Sequence, residues 1–176
     1  MIIEEFFILK ERIKYIMNSA VIYYSLEGNT KLIAELISKE INGDLIELKC
    51  KKELPSKGFK KYFWGGKSAI FRETPELINF NIDFSKYENI FLGTPVWAGT
   101  YAPAFNTFFR DNSISNKNIG IFVCSGGGKV EKCFKNFKKN MPDNNFIGEI
   151  SFVDPKENTN RDYKQDIKQW ISTMKF

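Results

Sequence analysis

The 176-residue sequence contains no histidine. This absence excludes Ser-His-Asp and Cys-His catalysis, and it excludes zinc or haem sites built on histidine. The three cysteines, Cys50, Cys124 and Cys133, are an odd number and lack the spacing of metal ligands. They argue against a disulfide scaffold and suit a reducing compartment. Redox chemistry in this chain would therefore come from a bound organic cofactor, and we expect no metal site.

Long apolar runs are also missing. No stretch approaches the roughly 20 apolar residues that a membrane span needs. Residues 1–17 mix charged with apolar residues, and no small-residue cleavage site of a signal peptide follows them. We therefore expect a cytoplasmic protein without a membrane span. We interpret residues 1–17 as an N-terminal extension. An upstream start codon or a frayed helix is the favoured explanation, and an amphipathic helix that binds a partner is the alternative.

The chain is 43% hydrophobic and 15% aromatic, which is enough for a globular domain over residues 18–176. Short apolar runs predict five strands, at residues 19–24, 44–49, 88–93, 118–124 and 145–152. Amphipathic patterns predict helices at residues 29–41, 102–111, 129–140 and 161–174. This alternation predicts an α/β fold with a doubly wound five-stranded parallel sheet in three layers, α/β/α.

Three loops directly follow predicted strands, and we call them the first loop (25–30), the second loop (94–101) and the third loop (125–128). Ligands of doubly wound sheets bind at the carboxyl ends of the strands, so these loops are the candidate binding site.

The first loop has the composition of a phosphate site. Ser25, Asn29 and Thr30 offer side-chain donors before a predicted helix, and Gly28 permits a tight turn. This loop has neither the Walker Gly-Lys-Ser/Thr nor the G-x-G-x-x-G pattern, so a monophosphate fits better than a di- or triphosphate. The alternative is a simple helix cap, because Ser and Asn both cap helices. The position after the first strand favours the phosphate.

The stretch YYSLEGNT resembles the S/T-x-T/E-G-x-T phosphate loop of flavodoxins, and residues 18–175 resemble the flavodoxin-like FMN-binding family. The resemblance implies a strand order of 2-1-3-4-5 with FMN lying across the strand ends. It assigns the FMN phosphate to Ser25, Glu27, Gly28, Asn29 and Thr30, and Leu26 is included among the cofactor-binding residues. Glu27 would contribute its backbone N–H, because its carboxylate would repel the dianion.

The second loop has the groups that a flavin ring needs, a flat apolar surface and backbone N–H donors. Trp97 and Tyr101 are the candidates for stacking on the ring, and core packing is the less favoured alternative for Trp97. The resemblance assigns contact with the ring to Thr94, Pro95, Val96, Trp97, Ala98 and Gly99.

The third loop and the residue before it read CSGGG. Its glycines permit close backbone approach to a ligand. The resemblance places it beside the pyrimidine end of the flavin, and the residues assigned there are Cys124, Ser125, Gly126, Gly127 and Gly128. Many flavodoxins carry an aromatic residue here, and this chain has none. One flavin face is therefore open or is covered by another segment. We expect Cys124 to be buried structure.

Residues 51–72 contain seven basic residues and one acidic residue, together with several aromatic ones. They form either a solvated helix with its aromatic residues in the core, or a lid over the flavin, and the two are favoured equally. Nucleic-acid binding is the weakest interpretation, since no known motif is present.

The leading functional hypothesis is an electron-transfer protein with non-covalent FMN and redox partner proteins. The alternative is an enzyme that oxidises NAD(P)H and reduces a quinone or another small-molecule acceptor. A flavin-free protein-interaction domain is the least favoured. No residue presents itself as a catalytic acid or base, and the oligomeric state stays open.

Overall fold

The computed structural model describes residues 18–52, 73–78 and 81–176. The predictions for residues 1–17, and those for the 51–72 segment beyond its first two residues, lie outside this part of the chain. None of the helices in the described ranges is both long enough and apolar enough to cross a bilayer.

Within these ranges the chain forms five strands and four helices. The strands are β1 (Ser19–Tyr23), β2 (Asp44–Glu47), β3 (Asn89–Pro95), β4 (Asn118–Ser125) and β5 (Asn145–Val153). The helices are α1 (Asn29–Ile41), α2 (Ala104–Asp111), α3 (Glu131–Asn140) and α4 (Tyr163–Ser172). A short 3-10 helix, Phe84–Lys86, precedes β3.

The strands form one parallel sheet in the order β2-β1-β3-β4-β5. This confirms the predicted sheet and strand order. All five residues of β1 are buried, and so are six of the seven residues of β3. Continuous burial of this kind arises when helices cover both faces of a parallel sheet.

Two hydrophobic clusters, one on each face of the sheet, confirm the three layers. One cluster packs α1 and α4 on the sheet through side chains that include Ile33, Ile37 and Trp170. The other packs α2 and α3, and its centre is aromatic. Phe105 and Phe137 lie there with ring centroids 5.0 Å apart in a T-shaped arrangement. Such edge contacts favour a defined arrangement over a loose apolar interior.

A chain of polar side chains holds the amino-terminal ends of four strands in register. The Asn89 amide donates to Ser19 Oγ at 3.2 Å, the Asn118 amide donates to Asn89 Oδ1 at 3.0 Å, and the Asn145 amide donates to Asn118 Oδ1 at 2.9 Å. These residues are also register partners in the sheet. Asn89 is fully buried, so its hydrogen bonds offset the cost of removing an amide from water.

Two phenylalanines lie across glycines of the neighbouring strand. Gly93 on β3 pairs with Phe122 on β4, and Phe91 on β3 pairs with Gly120 on β4. A Cβ atom at Gly93 would lie 2.0 Å from the Phe122 ring, and one at Gly120 would lie 2.7 Å from the Phe91 ring. Each ring therefore occupies the space that a larger partner would need.

This packing makes Gly93→Ala destabilising. The added methyl group must displace a buried ring, and such overpacking costs roughly 1–3 kcal/mol of the free energy of unfolding. Urea denaturation of the wild type and the variant measures the loss. In a Phe122→Leu background the same substitution should cost clearly less, because the ring is gone. An equal cost in both backgrounds would mean that the ring is not the cause.

Candidate functional site

A cavity of about 710 Å³ opens at the carboxyl ends of β1, β3, β4 and β5. Its volume lies in the range of small-molecule and cofactor sites. Four loops contribute to its wall, and the lining residues are Ser25, Leu26, Glu27, Asn29, Thr30, Pro95, Val96, Trp97, Ala98, Cys124, Ser125, Gly126, Asp154, Lys156 and Glu157.

The structure brings all three predicted loops to this cavity. Twelve of its lining residues are ones that the sequence singled out. The predicted residues that do not line it are Gly28, Thr94, Gly99, Tyr101, Gly127 and Gly128.

The N-terminus of α1 lies at the cavity and has an unusual cap. The N-cap residue is Gly28, which has no side chain with which to cap the helix, and its φ of +92° is a conformation that favours glycine. The Gly28 N–H donates to Ser25 Oγ at 3.1 Å, which closes the first loop on itself. The first turn contains no acidic residue. The positive end of the helix dipole is thus presented to the cavity without a compensating carboxylate in that turn.

Thr30 has unused hydrogen-bonding capacity. The residue is 1% exposed and lines the cavity, and its Oγ1 has no hydrogen-bond partner of ordinary length in the described ranges. The Cys124 thiol is its polar neighbour, and a thiol is a weak partner. Burying a hydroxyl without a good hydrogen-bond partner lowers the stability of the fold, and this cost brings no benefit unless the hydroxyl binds a ligand.

The second loop reverses direction in a tight turn. Trp97 and Thr100 exchange two backbone hydrogen bonds, of 2.8 and 2.9 Å. Ala98 and Gly99 between them have φ values of +50° and +76°, the signature of a type I′ turn. Thr94 is buried and fastens the loop, since its hydroxyl accepts from the Ala102 N–H at 2.9 Å.

The two aromatic candidates for stacking have different positions. Trp97 is partly buried, lines the cavity and makes an edge contact with Tyr24 at 5.7 Å. Tyr101 is 9% exposed and packs among the aromatic side chains of the α2–α3 cluster, with its ring 5.0 Å from that of Phe137. Its hydroxyl accepts a hydrogen bond from the Asn140 amide at 3.0 Å. The structure therefore brings only Trp97 to the cavity wall.

The third loop is open on its outer side. Gly127 and Gly128 have φ values of +103° and +105°, and a Cβ atom at either would meet no heavy atom of the described residues within 4 Å. Cys124, at the end of β4, is 3% exposed, as expected for a structural residue. Burial raises the pKa of its thiol to about 12, so the thiol stays neutral at physiological pH.

The sequence analysis missed a fourth loop, residues 154–162 between β5 and α4. Asp154, Lys156 and Glu157 from this loop line the cavity. The rule used for the other three loops would have found it, since it also follows a predicted strand. It contains no glycine and a single hydroxyl residue, Thr159, so its composition does not resemble that of a phosphate or flavin loop.

Hydrogen bonds connect the four loops in a row, from the second to the third, the fourth and the first. The Val96 N–H donates to the Cys124 carbonyl at 2.8 Å, and the Asp154 N–H donates to the Ser125 carbonyl at 2.9 Å. The Lys156 N–H donates to Asn29 Oδ1 at 2.9 Å, which joins the fourth loop to the first. The wall of the cavity is therefore formed before any ligand binds.

The sequence matches the flavodoxin family over residues 18–174. The chain belongs to the flavodoxin family. This confirms the resemblance inferred from the first loop. No curated protein matches the sequence significantly.

Solved structures from bacteria share the flavodoxin fold. A flavoprotein of Lactobacillus acidophilus NCFM, solved in complex with FMN, is 26% identical, with a TM-score of 0.66 over 81% of this chain and 96% of that chain. A presumed flavoprotein of Bacteroides eggerthii is 22% identical, with a TM-score of 0.75 over 89% and 96% of the two chains. Another, of Bacteroides uniformis, is 21% identical, with a TM-score of 0.73 over 88% and 97%.

Because the Thr30 hydroxyl makes no good hydrogen bond, Thr30→Val should not destabilise the ligand-free protein. We expect the free energy of unfolding to change by no more than about 0.5 kcal/mol or to rise, because no good hydrogen bond is lost. Thr107→Val is the matched control. Thr107 is 2% exposed, and its hydroxyl donates to the Pro75 carbonyl at 2.6 Å. It should lose about 1 kcal/mol in the same urea titration. A similar loss at both positions would show that Thr30 has a partner.

The buried Cys124 thiol should make the fold sensitive to alkali. The pKa rises from 9.0 to about 12 on folding, so above pH 9.0 the native state holds a proton that the unfolded state releases. Stability should therefore fall between pH 9.0 and about 12, with this thiol contributing up to about 1.4 kcal/mol per pH unit. Urea titrations above pH 9.0 should show a shallower fall for Cys124→Ala. Identical slopes would contradict the assignment.

Proposed function

We propose that this flavodoxin-family chain binds FMN non-covalently and transfers electrons through it. The observation that carries the proposal is the N-terminus of α1. A glycine caps it, a buried hydroxyl without a good partner lies in its first turn, and it opens on a cavity of cofactor size. A terminal phosphate is the group that uses all of these features, since it accepts hydrogen bonds from backbone N–H groups and hydroxyls.

The first loop would hold the phosphate. Thr30 and Ser25 would supply hydroxyls, and the residues around Gly28 would supply backbone N–H groups. The alternative interpretation of the first loop, a simple helix cap, loses support, because the Ser25 hydroxyl bonds within the loop and the Asn29 side chain bonds to the fourth loop. The FMN complex of the Lactobacillus acidophilus flavoprotein supports the choice of cofactor.

The second and third loops would hold the flavin ring. Trp97 offers an apolar surface at the cavity wall, and the turn at Ala98 and Gly99 presents backbone groups beside it. Gly126 lines the cavity without a side chain, so the ring could approach its backbone closely. Bound there, FMN would supply the capacity to accept and release electrons, which none of the protein side chains assigned here has.

A second candidate function is a reductase that takes electrons from NAD(P)H. The observation that favours it is the open space beside Gly127 and Gly128. Among the described residues of the chain no side chain fills this space, which would leave room for a nicotinamide or a small acceptor. The carrier remains the first choice, because the chain belongs to the flavodoxin family.

We expect the purified protein to retain about one FMN per chain after removal of excess cofactor, as visible absorption will show. Thr30→Val should weaken FMN binding roughly tenfold, since a hydrogen bond to a charged group is worth about 1.5–3 kcal/mol. Thr107→Val should bind FMN like the wild type. A folded wild-type protein that takes up no FMN would leave the flavin-free interaction domain as the better hypothesis.

Anaerobic addition of NAD(P)H to the FMN-loaded protein separates the two candidates. Rapid bleaching of the flavin absorbance with turnover of a quinone would establish the reductase. Reduction by dithionite alone would favour the carrier.

A further inference from the structure

A lysine from the fourth loop lies on the first loop. Lys156 Nζ donates to the Glu27 carbonyl at 3.0 Å, and its backbone N–H donates to Asn29 Oδ1. These residues are more than a hundred positions apart in the sequence. Both contacts reach the loop at which the dipole of α1 opens on the cavity.

The lysine stem crosses the first loop at Gly28. A Cβ atom at Gly28 would lie 3.3 Å from Lys156 Nζ and 3.4 Å from its Cδ. Glycine at this position thus permits the backbone turn and also leaves room for the lysine side chain. The side chain is held against the loop in this structure, which reduces the conformational freedom that it must lose when it binds a ligand.

The charges around the cavity are unfavourable to an anion without this lysine. Glu27, Asp154 and Glu157 line the cavity, and Lys156 is the single basic residue that lines it in the part of the chain that the structure describes. A phosphate dianion entering this site meets three carboxylates. A cation beside the first loop offsets part of that repulsion.

We propose that Lys156 is a direct ligand of the cofactor phosphate, contributed by the fourth loop. The inference rests on the proposed FMN function and adds a cation to a loop that contains none. An ammonium group has three donors, and the Glu27 carbonyl takes one of them. The remaining donors can reach a phosphate while that bond stays in place. The loop and its lysine thus select phosphorylated flavin over riboflavin.

The test compares FMN with riboflavin, which lacks the phosphate. Dissociation constants come from quenching of flavin fluorescence by the full-length protein. Lys156→Gln should weaken FMN binding roughly tenfold, because a charge-assisted hydrogen bond is lost. Riboflavin binding should not change. The loss for FMN should shrink at high salt, since the lysine is exposed and its charge is screened.

Two further variants isolate the charge at this position. Lys164→Gln removes an equal charge from an exposed residue of α4 that does not line the cavity, and it should bind FMN like the wild type. Lys156→Arg keeps the charge and should restore most of the affinity. Circular dichroism confirms that every variant is folded.

The outcomes separate this inference from the proposed function. Equal weakening of FMN and riboflavin would show that Lys156 only shapes the loop, and an unchanged FMN affinity would show that it makes no contact with the phosphate. Either result overturns the inference while FMN binding stands. A wild type that binds neither flavin overturns both.

Discussion

The register of the parallel strands is the constraint on which the site depends. The hydrogen-bonded asparagines of β3, β4 and β5 align the strands at their amino-terminal ends. Parallel strands that start together bring their carboxyl ends to the same edge, so the loops after β1, β3, β4 and β5 meet there. A shift of one residue would move every side chain of a strand to the opposite face and would separate these loops.

Hydrogen bonds donated by backbone N–H groups then link the loops at this edge. Val96 bonds to Cys124, Asp154 bonds to Ser125, and Lys156 bonds to Asn29, so each loop supports the next. Because these bonds are made by the protein alone, a cofactor would not have to order the wall of its own site. Thr30 is the exception, with a buried hydroxyl that lacks a good partner. A small cost of this kind in the free protein is typical of a group kept for a ligand.

Periodicity in the sequence predicted the fold, because burial on a sheet or a helix directly selects apolar residues. The bounds of α1 agree with the prediction, 29–41. Those of α2 and α3 differ by two residues at their starts, and those of α4 differ by two residues at each end. The site was harder to predict. Proximity to a strand end does not say which way a side chain points, and Tyr101 points into the α2–α3 cluster. Lys156 carries no local signal, since its role depends on a fold that brings it to Glu27.

The second loop shows where this fold accepts strain. Ala98 has a φ of +50°, and a residue with a Cβ atom in this region costs roughly 1–2 kcal/mol. The bonds between Trp97 and Thr100 and the Thr94 hydroxyl hold the turn in this conformation. Glycine at position 98 would remove the strain and also loosen the turn. The alanine therefore favours a stiff turn over a relaxed one. In the proposed site such a turn would fix where its backbone donors meet the cofactor.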